Sequence, residues 1–205
     1  MFVLIKTQKI VIMKKVLLAV AILAAGLTAN AQEVNFGAKA GVNFANVSGE
    51  DVEDNITRTS FNVGAVVEFE ISDKFSIQPE LIYSAQGAKL EEESDVDLTL
   101  KLDYLNVPVI AKFYAAESFS LEFGPQVGFL LSAKAKAKIG GDSGETDIKD
   151  EFETVDFGLN FGAGYKLDSG LNFSARYNLG LSNVAKESES SVKNSVFQIS
   201  VGYFF

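Results

Sequence analysis

The residues in this chain best suited to chemistry are charged groups that recur among the polar positions of an alternating pattern. They are Lys39, Glu68, Glu70, Glu80, Lys112, Glu122, Asp156, Lys166 and Arg176. Carboxylates held near cations can pair with them, pass ions, or transfer protons. The chain contains no His and no Cys. That removes the commonest general base, the thiolate nucleophile, disulfides and thiolate metal sites. A carboxylate pair such as Glu80 and Glu122 therefore lacks the partners acid–base catalysis needs. The sequence is read as non-enzymatic, with no cofactor. Two readings of the charges stay open: a salt-bridged plug, or a narrow ion path gated by the same pairs. Lys39, Glu68, Glu80, Lys112, Glu122, Asp156 and Arg176 form the expected network.

A second set of acids lies between the patterned segments. Glu50, Asp51, Glu53 and Asp54 are in the first group, and Glu91, Glu92, Glu93, Asp95 and Asp97 in the second. Asp142, Glu145, Asp147, Asp150, Glu151 and Glu153 form the third. Clustered carboxylates are candidate ligands for divalent cations such as Ca²⁺, which prefer oxygen, and such ions would bridge lipopolysaccharide phosphates. No EF-hand spacing is present, so a solvated, self-repelling surface is the simpler reading. Lys134, Lys136 and Lys138 alternate with Ala and are expected to extend a strand opposite these acids. The net charge of −9 disfavours a nucleic-acid partner, and none is expected.

The charged residues must be positioned by strands, because apolar residues alternate with polar ones over eight segments. These segments are about 35–46, 59–71, 75–87, 101–114, 119–132, 154–167, 171–182 and 195–205. Phe157, Leu159, Phe161, Ala163 and Tyr165, for instance, interleave with Gly158, Asn160, Gly162 and Gly164. Each segment is long enough to cross hydrocarbon, which takes about 9–11 tilted residues. The connections alternate between tight turns (72–74, 115–118, 168–170) and long polar stretches (47–58, 88–100, 133–153, 183–194). That asymmetry belongs to transmembrane barrels, with short turns and both termini periplasmic and long loops extracellular.

Alternation alone also fits a soluble barrel with its apolar face inward. Ten glycines on the polar face argue otherwise, from Gly37 to Gly202. A solvated strand surface gains nothing from glycine, whereas a narrow lumen where side chains converge requires it. The apolar face is bulky, and its aromatics gather near the strand ends. Phe36, Phe69, Phe75, Phe113, Phe119, Tyr165, Phe173 and Tyr203 lie by the short turns. Phe44, Phe61, Tyr83, Phe129, Phe157, Tyr177 and Phe197 lie by the long loops. Two aromatic girdles around an aliphatic band mark a lipid-facing surface. Pro79, Pro108 and Pro125 all fall inside strands. Each removes a ladder donor, so bulges are expected there.

Before the first strand, Met13-Lys14-Lys15 leads into an apolar run from Val16 to Leu27 and an Ala29-Asn30-Ala31 site. This describes a secretory signal peptide spanning residues 1–31, with Met13 as the expected true start. The barrel domain is then residues 32–205.

Asp103 to Lys112, with its Tyr-Leu-x-x-Pro-x-x-x-Lys pattern, resembles a strand of the porin-family outer-membrane barrels of Bacteroidetes. Gly124 to Leu131, Phe157 to Tyr165, Arg176 to Leu181 and the ending Val201-Gly202-Tyr203-Phe204-Phe205 are similar to other strands of that family. The resemblance covers the mature chain. It implies an all-β, eight-stranded antiparallel up-and-down transmembrane barrel in the cell outer membrane. Its implied surroundings are outer-membrane lipid and lipopolysaccharide, and its implied assembly partners are periplasmic chaperones and the barrel-assembly machinery. Phe205 is the implied assembly signal. Members of that family share no single activity, so a small channel for ions or solutes remains the alternative to a structural or surface-interaction barrel.

Overall fold

The computed structural model describes residues 33–49, 55–91, 96–139, 142–186 and 191–205. The expected signal peptide and the acidic groups at 50–54 and 92–95 lie outside the described residues. The alternating segments become strands β1 (Val34–Ser48), β2 (Asn55–Ser72), β3 (Phe75–Glu91), β4 (Val96–Tyr114) and β5 (Phe119–Ile139). After a short strand β6 (Asp142–Asp147) come β7 (Val155–Lys166), β8 (Leu171–Gly180) and β9 (Lys193–Phe204). Every long strand pairs antiparallel with its neighbours in sequence, and β9 returns to β1, for example Gly41 opposite Ser200. The result is a closed ring of eight strands, with β6 attached to β5 outside it. Closure removes the free edges that hydrocarbon cannot solvate.

The pleat sorts the two faces as the alternation implies. Phe36, Leu121, Phe157 and Ile199 point outward with 58, 52, 52 and 51 % of their surface exposed. Lys112, Glu68 and Asn43 point inward and are fully buried. An apolar belt this extensive is untenable in water and suits lipid.

Four features depart from the sequence expectation. First, β4 starts at Val96 rather than near 101, paired with the expected extension of β5 through Lys134, Lys136 and Lys138. The two run 19 and 21 residues, past the roughly 9–11 that cross hydrocarbon, and project as a hairpin beyond the belt. Second, no bulge falls at a proline. Pairing stops beside each one and resumes in the same register: β2–β3 at Pro79, β3–β4 at Pro108, β4–β5 at Pro125. A missing N–H thus costs rungs without inserting a residue. Third, the register shifts lie between Thr57 and Asn62, between Glu70 and Ser72, and between Asp103 and Tyr104. At the last, Asp103 faces Ser132 while Tyr104 faces Leu130, leaving Leu131 as the extra residue on β5. The inward set on β5 then changes from even numbers (Gln126, Gly128, Leu130) to Ala133.

Fourth, two girdle aromatics are buried. Phe69 is flanked across the strands by Val34 and Ile77, and Phe129 by Leu105 and Val155. The remaining aromatics of both girdles stay at least partly exposed on the outer face.

Candidate functional site

The lumen is layered along the barrel axis. At the short-turn end, Glu68 on β2 collects Lys112 from β4 at 3.1 Å and Lys166 from β7 at 3.2 Å. Ser76 donates to it at 2.6 Å, and the Tyr114 hydroxyl donates as well. Lys166 also reaches Glu70 at 3.2 Å. The inward Phe204 ring lies under Lys166 and Lys112, at 4.9 and 5.6 Å from the ring centre. A cation over an aromatic face is stabilised there without a further carboxylate.

One layer deeper, Arg176 on β8 binds two carboxylates at once. Its Nη1 and Nη2 donate to Glu80 at 3.0 Å each, and its Nε and Nη2 donate to Glu122 Oε2 at 3.1 and 2.7 Å. The flat guanidinium fork matches carboxylate geometry as a lysine cannot. Lys39 from β1 closes the cluster on Glu80 at 3.0 Å. Gln78 joins the two layers, accepting from Lys112 at 3.2 Å and donating to Glu80 at 2.7 Å. Glycine makes room for the arrangement: a Cβ on Gly164 would stand 2.6 Å from Glu122 Oε1 and 2.9 Å from Ser120 Oγ.

Above the ion layers lies a band of amides and hydroxyls. Asn43 receives Asn62 at 2.7 Å and Gln198 at 3.1 Å, and donates to Ser84 at 2.9 Å. Next, Asp156 accepts from Ser182 at 2.6 Å and from Asn194 at 3.2 Å. At the long-loop end an apolar cluster of Leu102, Tyr104, Leu130, Ala133, Phe152 and Val184 closes the bore. It is held by the segment after β6, whose Phe152 pairs with Ala185 and whose Glu153 N–H donates to the Val184 carbonyl at 2.8 Å.

Six of the seven expected network residues come together: Lys39, Glu68, Glu80, Lys112, Glu122 and Arg176. The seventh, Asp156, points inward but binds Ser182 and Asn194 rather than a cation, two layers away. Gln78, Ser76 and Tyr114 are members that sequence reasoning missed, although they occupy the same inward alternation. An interior cavity of ≈ 10 Å³ remains between Lys39, Gln78, Glu122, Asn172 and Arg176, room for about one water. A vestibule of ≈ 470 Å³ at the short-turn end, lined by Glu33, Glu70, Asp73, Tyr114, Lys166 and Phe205, stops at the first ion layer. Among the described residues, no three Asp or Glu side chains converge where a metal could bind.

A closed eight-stranded ring with a lipid-suited exterior and a polar, ion-paired interior defines an integral membrane barrel. The chain belongs to the family of the outer membrane protein beta-barrel domain, whose model matches residues 30–186. It is similar to Neisserial surface protein A, with 15 % identity, a TM-score of 0.51, and coverage of 84 % of this chain and 99 % of that one. Ail of Yersinia pestis aligns at 19 % identity and a TM-score of 0.47, covering 84 % of this chain and 99 % of that one. OprG of Pseudomonas aeruginosa aligns at 15 % identity and a TM-score of 0.45, covering 85 % and 97 %. No curated protein matches the chain in sequence.

Proposed function

We propose that this barrel is a non-enzymatic, structural or surface-interaction protein of the outer membrane whose lumen is closed. The observation that supports it is the fill of the bore. Two ion layers, an amide band and an apolar lid follow one another, with ≈ 10 Å³ free beside Arg176. Paired buried charges are held by directional bonds and are expensive to separate. In this reading the short turns and termini face the periplasm, and the long loops with the projecting β4–β5 hairpin face outward. Outer-membrane lipid and lipopolysaccharide surround the belt. Periplasmic chaperones and the barrel-assembly machinery deliver the chain, with Phe205 as the recognition element. Its N–H donates to the Phe36 carbonyl at 2.8 Å across the closing seam, while the residue is 80 % exposed. Deleting Phe205 is expected to leave the chain unassembled in cells.

The second reading, a small channel for ions or solutes, is favoured by the vestibule of ≈ 470 Å³ that reaches Lys166 from the short-turn end. The test is to refold residues 32–205 into detergent, verify the barrel by heat-dependent gel mobility and record conductance across a planar bilayer. A closed lumen gives a silent membrane. Steady openings that change in Arg176→Gln or Glu80→Gln would establish the channel instead.

A further inference from the structure

The interior cavity beside Arg176 faces two oxygens that the ion layers leave over. Glu122 spends its Oε2 on Arg176, while its Oε1 has no hydrogen-bond partner among the described residues. The same holds for Asn172 Oδ1. Glu122 and Asn172 are 3 and 7 % exposed, and both line the cavity of ≈ 10 Å³. Asn172 stands opposite Gly202 on β9, which also lines the space and puts no side chain between the two acceptors. A buried acceptor without a donor loses its hydration and gains nothing in return.

The lining selects what fits. A cavity of this size holds about one water. Its occupant has to donate to Glu122 Oε1 and to Asn172 Oδ1. It also faces Lys39, whose ammonium carries several N–H donors and gives one to Glu80 at 3.0 Å. A bare cation would suit the oxygens but not Lys39 and Arg176, which already balance Glu80 and Glu122. An anion would meet the charge of Glu122. A neutral molecule that donates twice and still accepts satisfies every wall, and water does both.

The way in is equally defined. Phe204 lines both this cavity and the short-turn vestibule, and no other residue is common to the two linings. Its ring packs with Val66 and Ile82 and lies under Lys166. Gly37 gives the ring its place, since a Cβ there would stand 2.9 Å from Phe204 Cδ1. One aromatic ring thus separates the vestibule from the two free oxygens.

We propose that the cavity binds a single water, which donates to Glu122 Oε1 and Asn172 Oδ1 and accepts from Lys39, and which exchanges with the vestibule past Phe204. The water serves the oxygen that Arg176 leaves over, while the charge of Glu122 stays with Arg176. This deepens the closed-lumen reading and rests on it. The refolded barrel, crystallised from rubidium chloride, is expected to show a density peak about 2.7–3.2 Å from both oxygens, with no anomalous signal from rubidium. Relaxation dispersion of water oxygen, recorded on the same barrel in detergent, reads the long-lived waters. Asn172→Leu removes one acceptor at similar size and is expected to lose the peak and lower the long-lived signal. Phe204→Ala keeps the peak and shortens the residence time, and Phe36→Ala, on the outer girdle, changes neither. Heat-dependent mobility certifies that each variant is folded, and the wild-type map carries the test where one is not. A rubidium signal at the peak, no peak within reach of both oxygens, an equal long-lived signal in Asn172→Leu, or an unchanged residence time in Phe204→Ala would each overturn the proposal. Conductance reads the closed lumen separately. A silent barrel without the peak refutes the water site alone, and a conducting barrel that keeps the peak refutes the closed lumen alone.

Discussion

Arg176→Met isolates what the ion layers contribute. The substitution keeps an unbranched chain but deletes four hydrogen bonds, two to Glu80 and two to Glu122. The two carboxylates are affected unequally. Glu80 retains Lys39 at 3.0 Å and Gln78 at 2.7 Å. Glu122 loses both bonds to its Oε2 and has no partner on its Oε1. Removing one member of a buried pair costs about 3–5 kcal/mol, chiefly because the other charge is left uncompensated. The double variant Arg176→Met/Glu122→Gln removes that orphan, so it should recover roughly 0.5–3 kcal/mol of the single-variant loss, the range of couplings between contacting residues. Asn178→Ala, the next inward position on β8 with one bond at 3.4 Å, serves as control and should cost about 0.5–1.5 kcal/mol. The assay is urea unfolding of the refolded barrel in lipid vesicles, read by circular dichroism and gel mobility. An Arg176→Met midpoint at the wild-type value, or a double variant whose loss equals the sum of the singles, would refute the claim that Arg176 binds the two carboxylates as one unit.

Three further outcomes follow from the geometry. Gly164→Val drives a side chain into Glu122 Oε1, 2.6 Å from where its Cβ must sit, and should destabilise the barrel by about 1–3 kcal/mol in the same assay. Ile199→Arg places a charge on the lipid face of β9 between Val42 and Ala175. It should cost about 2–4 kcal/mol near the bilayer midplane, and an unchanged stability in vesicles would contradict the outward assignment. Outside the membrane, the hydrogen bond and charge of Lys101 hold Glu145 below the usual carboxylate value of 4.5. A depressed value means that the contact supports the hairpin above pH 4.5 and weakens as pH falls through the lowered value. Carboxylate shifts measured by magnetic resonance should show that midpoint, and it should rise toward the ordinary value in Lys101→Met, with Lys134 still beside the carboxylate at 3.5 Å.

The ring and its polarity were legible because a period of two and a glycine-rich polar face are local signals. Membership of the charge network was legible for the same reason: inward parity put Lys39, Glu68, Glu80, Lys112, Glu122 and Arg176 in the bore. Who binds whom was not. Arg176 meets Glu80 and Glu122 across 96 and 54 residues of sequence, a distance set by strand stagger that alternation does not encode. Asp156 shares the parity of the others but lies in a different layer. The apolar lid escaped notice because it depends on the extra residue at Leu131, whose one sequence trace is the doublet Leu130-Leu131 interrupting the alternation. At the prolines the missing donor is legible in the sequence, but the retained register is not, because the paired strands hold it on either side of the gap and no residue is inserted. The extension of β5 through Lys134, Lys136 and Lys138 was legible from their alternation with Ala, whereas the earlier start of β4 at Val96 was not, because it depends on pairing with that extension.

The closed lumen is tested most directly by thiol access, since the chain has no cysteine of its own. Ser84→Cys places a single thiol in the amide band, where the native side chain is fully buried, and Ser72→Cys places one at the vestibule rim. With a small membrane-impermeant maleimide applied to both sides of refolded vesicles, the account predicts rapid labelling at position 72 and none at position 84. Labelling of position 84 at a rate approaching that of position 72, in a barrel shown by mobility to be folded, would contradict it.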